Sequence, residues 1–482
     1  MDKSTTADTQ QLENLRDQNG DDVKTSSSTH DPKAHRRLRH KIDRRLMPLC
    51  AWIYMLNYLD RSNIGNAKIL NSETGDSFLQ RLNMTAREYS IAITLFAIAY
   101  SAFDVPSNWV LKRYARPSYW LATLMLGWGI LTLAFAFVKN YSAVLGVRFM
   151  IGLFEAGFYP GIVYLITFWY RQEERSLRIA FVTTSATLAG AFGGCIAYGV
   201  AFLNQKAGLE GWQWLFVIEG AVTIAATLLV VIFLPDYPSS AKWLSEEERE
   251  FAVQRIEEQQ GGFTREPASR REILETCFSP RMLAHYVSYY ANVVVISSLI
   301  YFCPTIVNGL GYSSVQAQLM TIPPWAIGFV ISLCLAWSAD HFNARGLHAA
   351  VAAAIAGFGF LACSLLPAHA YSQRYGCLIV ACCGVFPSCS PLVAWVTCNV
   401  PSSRTVGLAA ALNNATVGLA SITAVWIWKA DEASRGYPTG NIVCTVCSFV
   451  TAIGALSLRY HYGRMNTEGR MDVTGTVRTW AL

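Results

Sequence analysis

From residue 46 onward the chain reads as apolar runs separated by short polar breaks, and the pattern continues to residue 458. A helix needs about 20 apolar residues to cross the hydrocarbon core of a bilayer. The runs fall at residues 46–66, 90–111, 119–138, 143–170, 179–203 and 212–234, then at 282–307, 316–339, 347–366, 376–396, 406–428 and 442–458. Each predicts a spanning helix. The longest break follows residue 234, where Pro235 and Pro238 stop the sixth run. Ser245 and Glu248 then form a capping box for an amphipathic helix over 246–259. The reading is all-α: a polytopic membrane protein of twelve transmembrane helices in two six-helix, pseudo-symmetric halves. Its parts are a disordered tail over 1–40, a bundle over 41–234, a linker over 235–280, a second bundle over 281–462 and a tail over 463–482.

Composition agrees with the pattern, since a chain that is 52% hydrophobic and 15% charged exposes too much apolar surface for an ordinary soluble domain. The net charge of +6 does not point to nucleic acid. Its basic residues gather at alternate span ends: Arg36, Arg37, Arg39, Lys41, Arg44 and Arg45 before the first span, Lys112, Arg113 and Arg116 after the second, Arg171, Arg175 and Arg178 after the fourth. That alternation places both termini in the cytoplasm, and the plasma membrane is the expected location. Residues 1–32 lack aromatics and cannot bury enough surface to order themselves. No cleavable signal is visible, and the first span is expected to serve as the targeting segment. Asn83-Met84-Thr85 is a glycosylation sequon in the first outer loop. The 13 cysteines sit mostly in apolar runs, and the Cys444/Cys447 pair has no second pair or histidine beside it. Small packing residues are the reading, with no metal or cofactor.

The candidate chemistry lies where polar groups enter the apolar runs. Span 1 carries Asn57, Asp60, Arg61, Asn63 and Asn66, and an ionised side chain in hydrocarbon is costly unless it faces a partner or a wet cavity. Arg61 falls a little beyond the midplane of a helix that starts at the inner face. A guanidinium there suits bidentate binding of a carboxylate, and an internal pair with Asp60 or Glu155 is the structural alternative. Adjacent residues point about 100° apart on a helix, so Asp60 is expected to be a structural partner when Arg61 faces the cavity. Span 4 places Arg148 and Glu155 on one face, about 10 Å apart along the axis. Glu155 is a candidate proton carrier, because burial away from water makes its protonated form accessible; a permanent pair with Arg148 is the alternative. Asn63, Asn108, Tyr289, Tyr290, Asn292, Asn413 and Asn414 are candidates to line a cavity, although interhelical hydrogen bonds account for intramembrane amides equally well. Glu219, behind Trp212, Trp214 and Phe216, reads as an interfacial carboxylate beside an aromatic anchor. No Walker A, Gly-x-Ser-x-Gly or His-Glu-x-x-His sequence is present, so neither an ATP-driven pump nor a hydrolase is supported. An ion gradient is the remaining energy source.

A weak internal repeat links the halves: Trp337 to Arg345 after the eighth span occupies the place of Leu111 to Arg116 after the second. Here the chain resembles the major facilitator superfamily, whose inner loops carry a Gly-x-x-x-Asp-Arg-x-x-Arg type motif. Asp340 and Arg345 match it as gating residues, whereas Lys112 stands where the first half should be acidic. Residues 59–67 (LDRSNIGNA), 106–108, 148–160 (RFMIGLFEAGFYP), 168–175, 234–249 (LPDYPSSAKWLSEEER) and 304–324 resemble more closely the fungal anion:cation symporters, the allantoate, nicotinate and vitamin permease type. The likeness spans residues 38–462. It departs at Ser403-Arg404 and Gly418-Leu419, where the family usually shows Lys-Arg and Gly-Asn, so it carries the fold further than the substrate. The resemblance implies proton-coupled symport of a small organic anion, by a monomer in the bilayer, with Arg61 at the substrate and Glu155 coupling it to protons; the pattern of polar residues adds Asn63, Tyr289, Asn292 and Asn413 as candidates at the substrate and Arg148 and Asp60 as candidate partners in the coupling. Some animal relatives carry a second arginine in span 7, where this chain has Asn292, and the difference favours a monoanion. An exporter of an acidic metabolite, or a nutrient receptor, would share the same fold.

Overall fold

The computed structural model describes residues 32–261, 269–469 and 480–481; of the disordered tail expected over 1–40, residues 1–31 lie outside them, and residues 32–40 are instead the first turns of a helix. Twelve long helices form the bundle: α1 Pro32–Ile69, α2 Ala86–Tyr114, α3 Pro117–Phe135, α4 Tyr141–Trp169, α5 Gln172–Ala201 and α6 Gly211–Phe233, then α7 Pro280–Asn308, α8 Ser314–His341, α9 Arg345–Leu365, α10 Tyr371–Cys398, α11 Val406–Trp426 and α12 Pro438–Thr467. Among the described residues eleven of these are long and apolar enough to cross a membrane. The exception is α1, whose interior polar groups and basic first half set it apart. It begins well before the predicted span, because the basic residues at 36–45 continue the same helix. Likewise Asp104 and Pro106 do not interrupt α2, which runs straight through them. Among the described residues there is no strand.

Helix α1 packs on α5 and α6, α2 on α4, and α3 on α6; in the second half α9 packs on α10 and α12, α8 on α10, and α7 on α11 and α12. The halves meet along α1 with α7, α2 with α11 and α5 with α8. The connecting helix Glu246–Gly261 begins with the expected capping box: the Glu248 amide donates to Ser245 Oγ at 3.2 Å, and the Ser245 amide donates to Glu248 Oε2 at 3.0 Å. It is fastened to the first half by Lys41 with Glu248 and by Arg255 donating to the Trp169 carbonyl at 2.9 Å. This end of the molecule is called the linker end below. Helix α12 runs past residue 462, and Trp480 and Ala481 pack back on the second half, the Trp395 indole donating to the Ala481 carbonyl at 2.8 Å. The segment read as a tail is thus partly helix and partly docked.

The two ends of the bundle differ. At the far end the halves touch: the Ser314 amide donates to Glu73 Oε1 at 2.9 Å, and Gln318 Nε2 donates to the Asn66 carbonyl at 3.1 Å. At the linker end a cleft of about 590 Å³ lined by His40, Arg44, Phe181, Leu333 and Trp337 parts α1 and α5 from α8. Far-end closure needs Gly194 of α5, where an added Cβ would lie 2.7 Å from the Gln318 carbonyl oxygen. Overpacking of this kind displaces backbone. Gly194→Leu is therefore expected to fold yet close poorly, raising several-fold the reaction rate of a cysteine placed at Ser314 with a maleimide, in a background free of exposed cysteines. An unchanged rate would show that the seam accepts the extra volume.

Candidate functional site

The polar residues of the first half converge from three helices. Helix α4 is broken immediately after Glu155: Tyr141–Glu155 and Phe158–Trp169 are separate helical segments, and Gly157 between them has φ +76°, a left-handed conformation that glycine adopts without steric cost. The close approach of α2 adds a second constraint, because a Cβ at Gly157 would collide with Ser107 Oγ. The break leaves Glu155 as the last residue of its segment, facing α1.

There Arg61 meets it. Arg61 Nη2 donates to Glu155 Oε2 at 2.9 Å and Nε to the same oxygen at 3.2 Å. The residues are 5% and 1% exposed, so the pair is out of reach of bulk solvent. Both donors use one carboxylate oxygen, and Glu155 Oε1 has no hydrogen-bond partner. The guanidinium is enclosed by aromatic rings, with its carbon 4.6 Å from the Tyr100 centroid, 5.2 Å from Tyr58 and 5.3 Å from Phe96. A cation over a desolvated ring gains up to about 2 kcal/mol, so the rings compensate part of the burial that the ion pair alone would not.

Asp60 points elsewhere. Its Oδ2 accepts from the Trp128 indole at 3.0 Å and from the Thr223 hydroxyl at 2.8 Å, which ties α1 to α3 and α6. Arg148 does not form the direct pair with Glu155 considered from the sequence. Its guanidinium carbon sits 4.7 Å from the Phe135 centroid and 6.0 Å from Phe216, and Arg61 occupies the carboxylate. Glu219 is not interfacial: it is 2% exposed in the interior of α6 with both carboxyl oxygens unpartnered. Trp212 is equally buried and meets Phe78 edge-on, so it packs loop to bundle instead of anchoring at a membrane surface.

A cavity of about 80 Å³ lies between the halves, lined among others by Tyr54, Tyr58, Tyr100, Tyr159, Tyr289 and Asn414. Tyr58 and Tyr100 are thus shared: they line the cavity and they cover Arg61. Thr184 lines both this cavity and the linker-end cleft. Among the described residues no Lys, Arg or His lines the cavity. Of the other expected residues, Tyr289 is at the cavity. Asn413 is buried, with Oδ1 unpartnered, and is not in the cavity wall, while its neighbour Asn414 reaches the wall and donates to Asp104 Oδ2 at 3.3 Å. Asn63 is wholly buried with neither amide atom partnered. Asn292 stands apart from the cavity, because its amide is held by Ser388 Oγ at 2.6 Å between α7 and α10. The Asp340 and Arg345 pair at the α8–α9 turn is formed, with Oδ1 accepting from Nε at 2.9 Å and Nη2 at 2.8 Å, and Arg345 also reaches Cys398 of α10. The aromatic enclosure of Arg61 escaped the sequence reading, since Tyr58, Phe96 and Tyr100 are ordinary span residues until α1 and α2 are brought together. The α4 break had a signal, the glycine three residues before Pro160.

A model of the Major Facilitator Superfamily matches residues 50–425. The chain is 49% identical over 447 residues to MFS transporter prlL of Fungal sp. (strain NRRL 50135), an alignment covering 92% of this chain and 90% of that protein. It is 35% identical over 412 residues to MFS-type transporter efuF of Hormonema carpetanum, covering 84% and 82%. In fold it is similar to the crystal structure of a bacterial homolog of the human lysosomal transporter Spinster in an inward-facing and occupied conformation, with a TM-score of 0.63 at 16% identity over 89% of this chain and 98% of that one.

Breaking a buried ion pair by removing one partner costs about 3–5 kcal/mol. Arg61→Ala is expected to lower the thermal midpoint of the purified protein through the stranded carboxylate, and Glu155→Gln in the same chain to restore much of the loss. Acidification should relieve the single variant as well, because a protonated Glu155 no longer needs its counter-ion. Additive losses in the double variant would show that the two groups are energetically independent.

Proposed function

The chain belongs to the major facilitator superfamily and is a multi-pass membrane transporter, not an enzyme; from that premise we propose that it carries a small organic anion by proton-coupled symport. The observation that carries this reading is the buried Arg61–Glu155 pair behind the tyrosine wall of the cavity. Arg61 presents the planar fork that a carboxylate fits. In the empty protein Glu155 takes that place as an internal carboxylate. Its unpartnered Oε1 is the atom at which a proton is accepted, and protonation weakens its hold on Arg61. The freed guanidinium then binds the substrate carboxylate once Tyr58 and Tyr100 rotate from between them.

The cavity supports the same reading. At about 80 Å³ it is well below the roughly 300–1,000 Å³ of ordinary ligand sites, so loading requires those rings to move. Its tyrosine lining suits a planar or aromatic acid, and the lack of a second cation in the wall favours a monocarboxylate over a dicarboxylate. Tyr289, together with the unpartnered amide of Asn63 and the unpartnered Oδ1 of Asn413, supplies hydrogen bonds as the cavity widens. Asp60 and Arg148 fix the frame in which the pair titrates. The halves, residues 41–234 and 281–462, rock about the cavity. The linker end with its basic residues faces the cytoplasm and the far end the outside; the protein works as a monomer in the plasma membrane. The stretches around Arg61 and Glu155 that resemble the fungal anion:cation symporters support this assignment.

In proteoliposomes with an inward proton gradient, labelled benzoate, nicotinate, lactate and succinate are the panel. Uptake of a monocarboxylate is expected in the parent protein, and its abolition in Arg61→Ala with the protein still inserted. Glu155→Gln should retain counterflow exchange and lose accumulation against a gradient. Accumulation intact in that variant removes Glu155 from coupling, and efflux exceeding uptake under the same gradient indicates an exporter.

A further inference from the structure

Two turns beyond Arg61 on α1 there is a second cation in an aromatic enclosure, and this one has no counter-ion among the described residues. Lys68 lies seven residues after Arg61, about 10 Å further along the axis on nearly the same face. Its Nζ is 4.9 Å from the Tyr89 centroid and 4.8 Å from that of Phe302. Among the described residues no carboxylate pairs with it, whereas Arg61 has Glu155.

The enclosure is built from both halves. Tyr89 belongs to α2 and Phe302 to α7, and their rings meet edge-on with centroids 6.1 Å apart. The Tyr89 hydroxyl donates to the Tyr301 carbonyl of α7 at 3.4 Å. Thus the ammonium of Lys68 and the hydroxyl of Tyr89 are both occupied by α7 while the far end is closed. Parting the halves there removes both contacts at once and leaves the ammonium and the hydroxyl, both on the first half, without their α7 partners. A half-buried ammonium with a neighbouring hydroxyl and no carboxylate of its own is a receptor for an anion. The two cations also divide the work by chemistry: an ammonium is a compact charge that attracts without demanding a geometry, and a guanidinium holds a carboxylate in a fixed bidentate arrangement.

We propose that Lys68 and the Tyr89 hydroxyl form an anion-capture site that takes the carboxylate of the substrate when the far end opens, before it reaches Arg61. The proposal rests on the reading of Arg61 as the carboxylate anchor. Return of Phe302 and Tyr301 on closure displaces the carboxylate from Lys68, which makes the site a one-way station toward the cavity.

Uptake of labelled benzoate by the full chain in proteoliposomes tests it. Lys68→Gln is expected to raise KM several-fold with the maximal rate little changed, Lys68→Arg to restore KM, and the salt dependence of KM to be weaker in Lys68→Gln than in the parent protein. An unchanged KM in Lys68→Gln overturns the site. So does a fall in maximal rate alone, which would mark the lysine as a closure clamp. Equilibrium binding of benzoate to purified Arg61→Ala and to Arg61→Ala/Lys68→Gln separates this proposal from the one beneath it. Weak binding in the first that vanishes in the second supports capture at Lys68, and equal residual binding in both overturns it. Parent-level binding by Arg61→Ala that is lost with Lys68 would instead refute the Arg61 anchor and leave capture standing.

Discussion

An arginine and a glutamate buried together in the middle of a helical bundle constrain nearly everything around them. Neither can be left alone in that environment, so α1 and α4 must present them at the same depth and the same azimuth. The α4 break at Gly157 sets Glu155 at the end of its segment, and the Trp128 and Thr223 bonds to Asp60 set the rotation of α1 one residue before Arg61. Asp60 and Arg61 thus form a unit in which one residue orients the helix and the other uses the orientation. The tyrosines and phenylalanine over the guanidinium complete the site by substituting ring faces for the water that the cation has lost.

Every component of that site belongs to the first half. The contacts between halves are of another kind: main-chain carbonyls, side-chain amides and glycine-permitted close approaches at the far end, with an apolar cleft at the linker end. Among the described residues none of the far-end bonds is an ion pair: Gln318 and Asn66 join neutral groups, while the Glu73 carboxylate and the Lys68 ammonium each meet an uncharged partner, and contacts of these kinds contribute about 1–3 kcal/mol each at most. The charged machinery is rigid within one half, and the seam that must open is weakly bonded.

The spans and the long central break were legible because membrane crossing imposes a length on every apolar run. Arg61 and Glu155 were legible as candidates because ionised groups are rare in hydrocarbon. Their pairing was not. Arg148 offered Glu155 a partner on the same helix, and periodicity fixes a residue's direction about its own axis but not which neighbouring helix it meets. The same limit separates Asn413 from Asn414, adjacent residues about 100° apart of which the second reaches the cavity wall. It also explains Asn292, whose position in α7 suited a cavity until α10 supplied Ser388. Glu219 was placed near a surface by the aromatic residues before it, whereas Trp212, the first of them, is itself interior packing.

The ion pair has an electrical consequence. In the empty protein Arg61 and Glu155 cancel. In the proposed loaded form the substrate carboxylate cancels Arg61, and Glu155, protonated, carries no charge. With the states of Asp60, Arg148 and Glu219 held constant, the moving unit bears the same net charge on both legs of its cycle. Moving one uncompensated charge across a membrane would involve about 2.3 kcal/mol for each 100 mV; here that work is nil on either crossing. A carrier of this design is indifferent to membrane voltage and responds only to the pH difference and the substrate gradient, so it would run equally well in a depolarised cell.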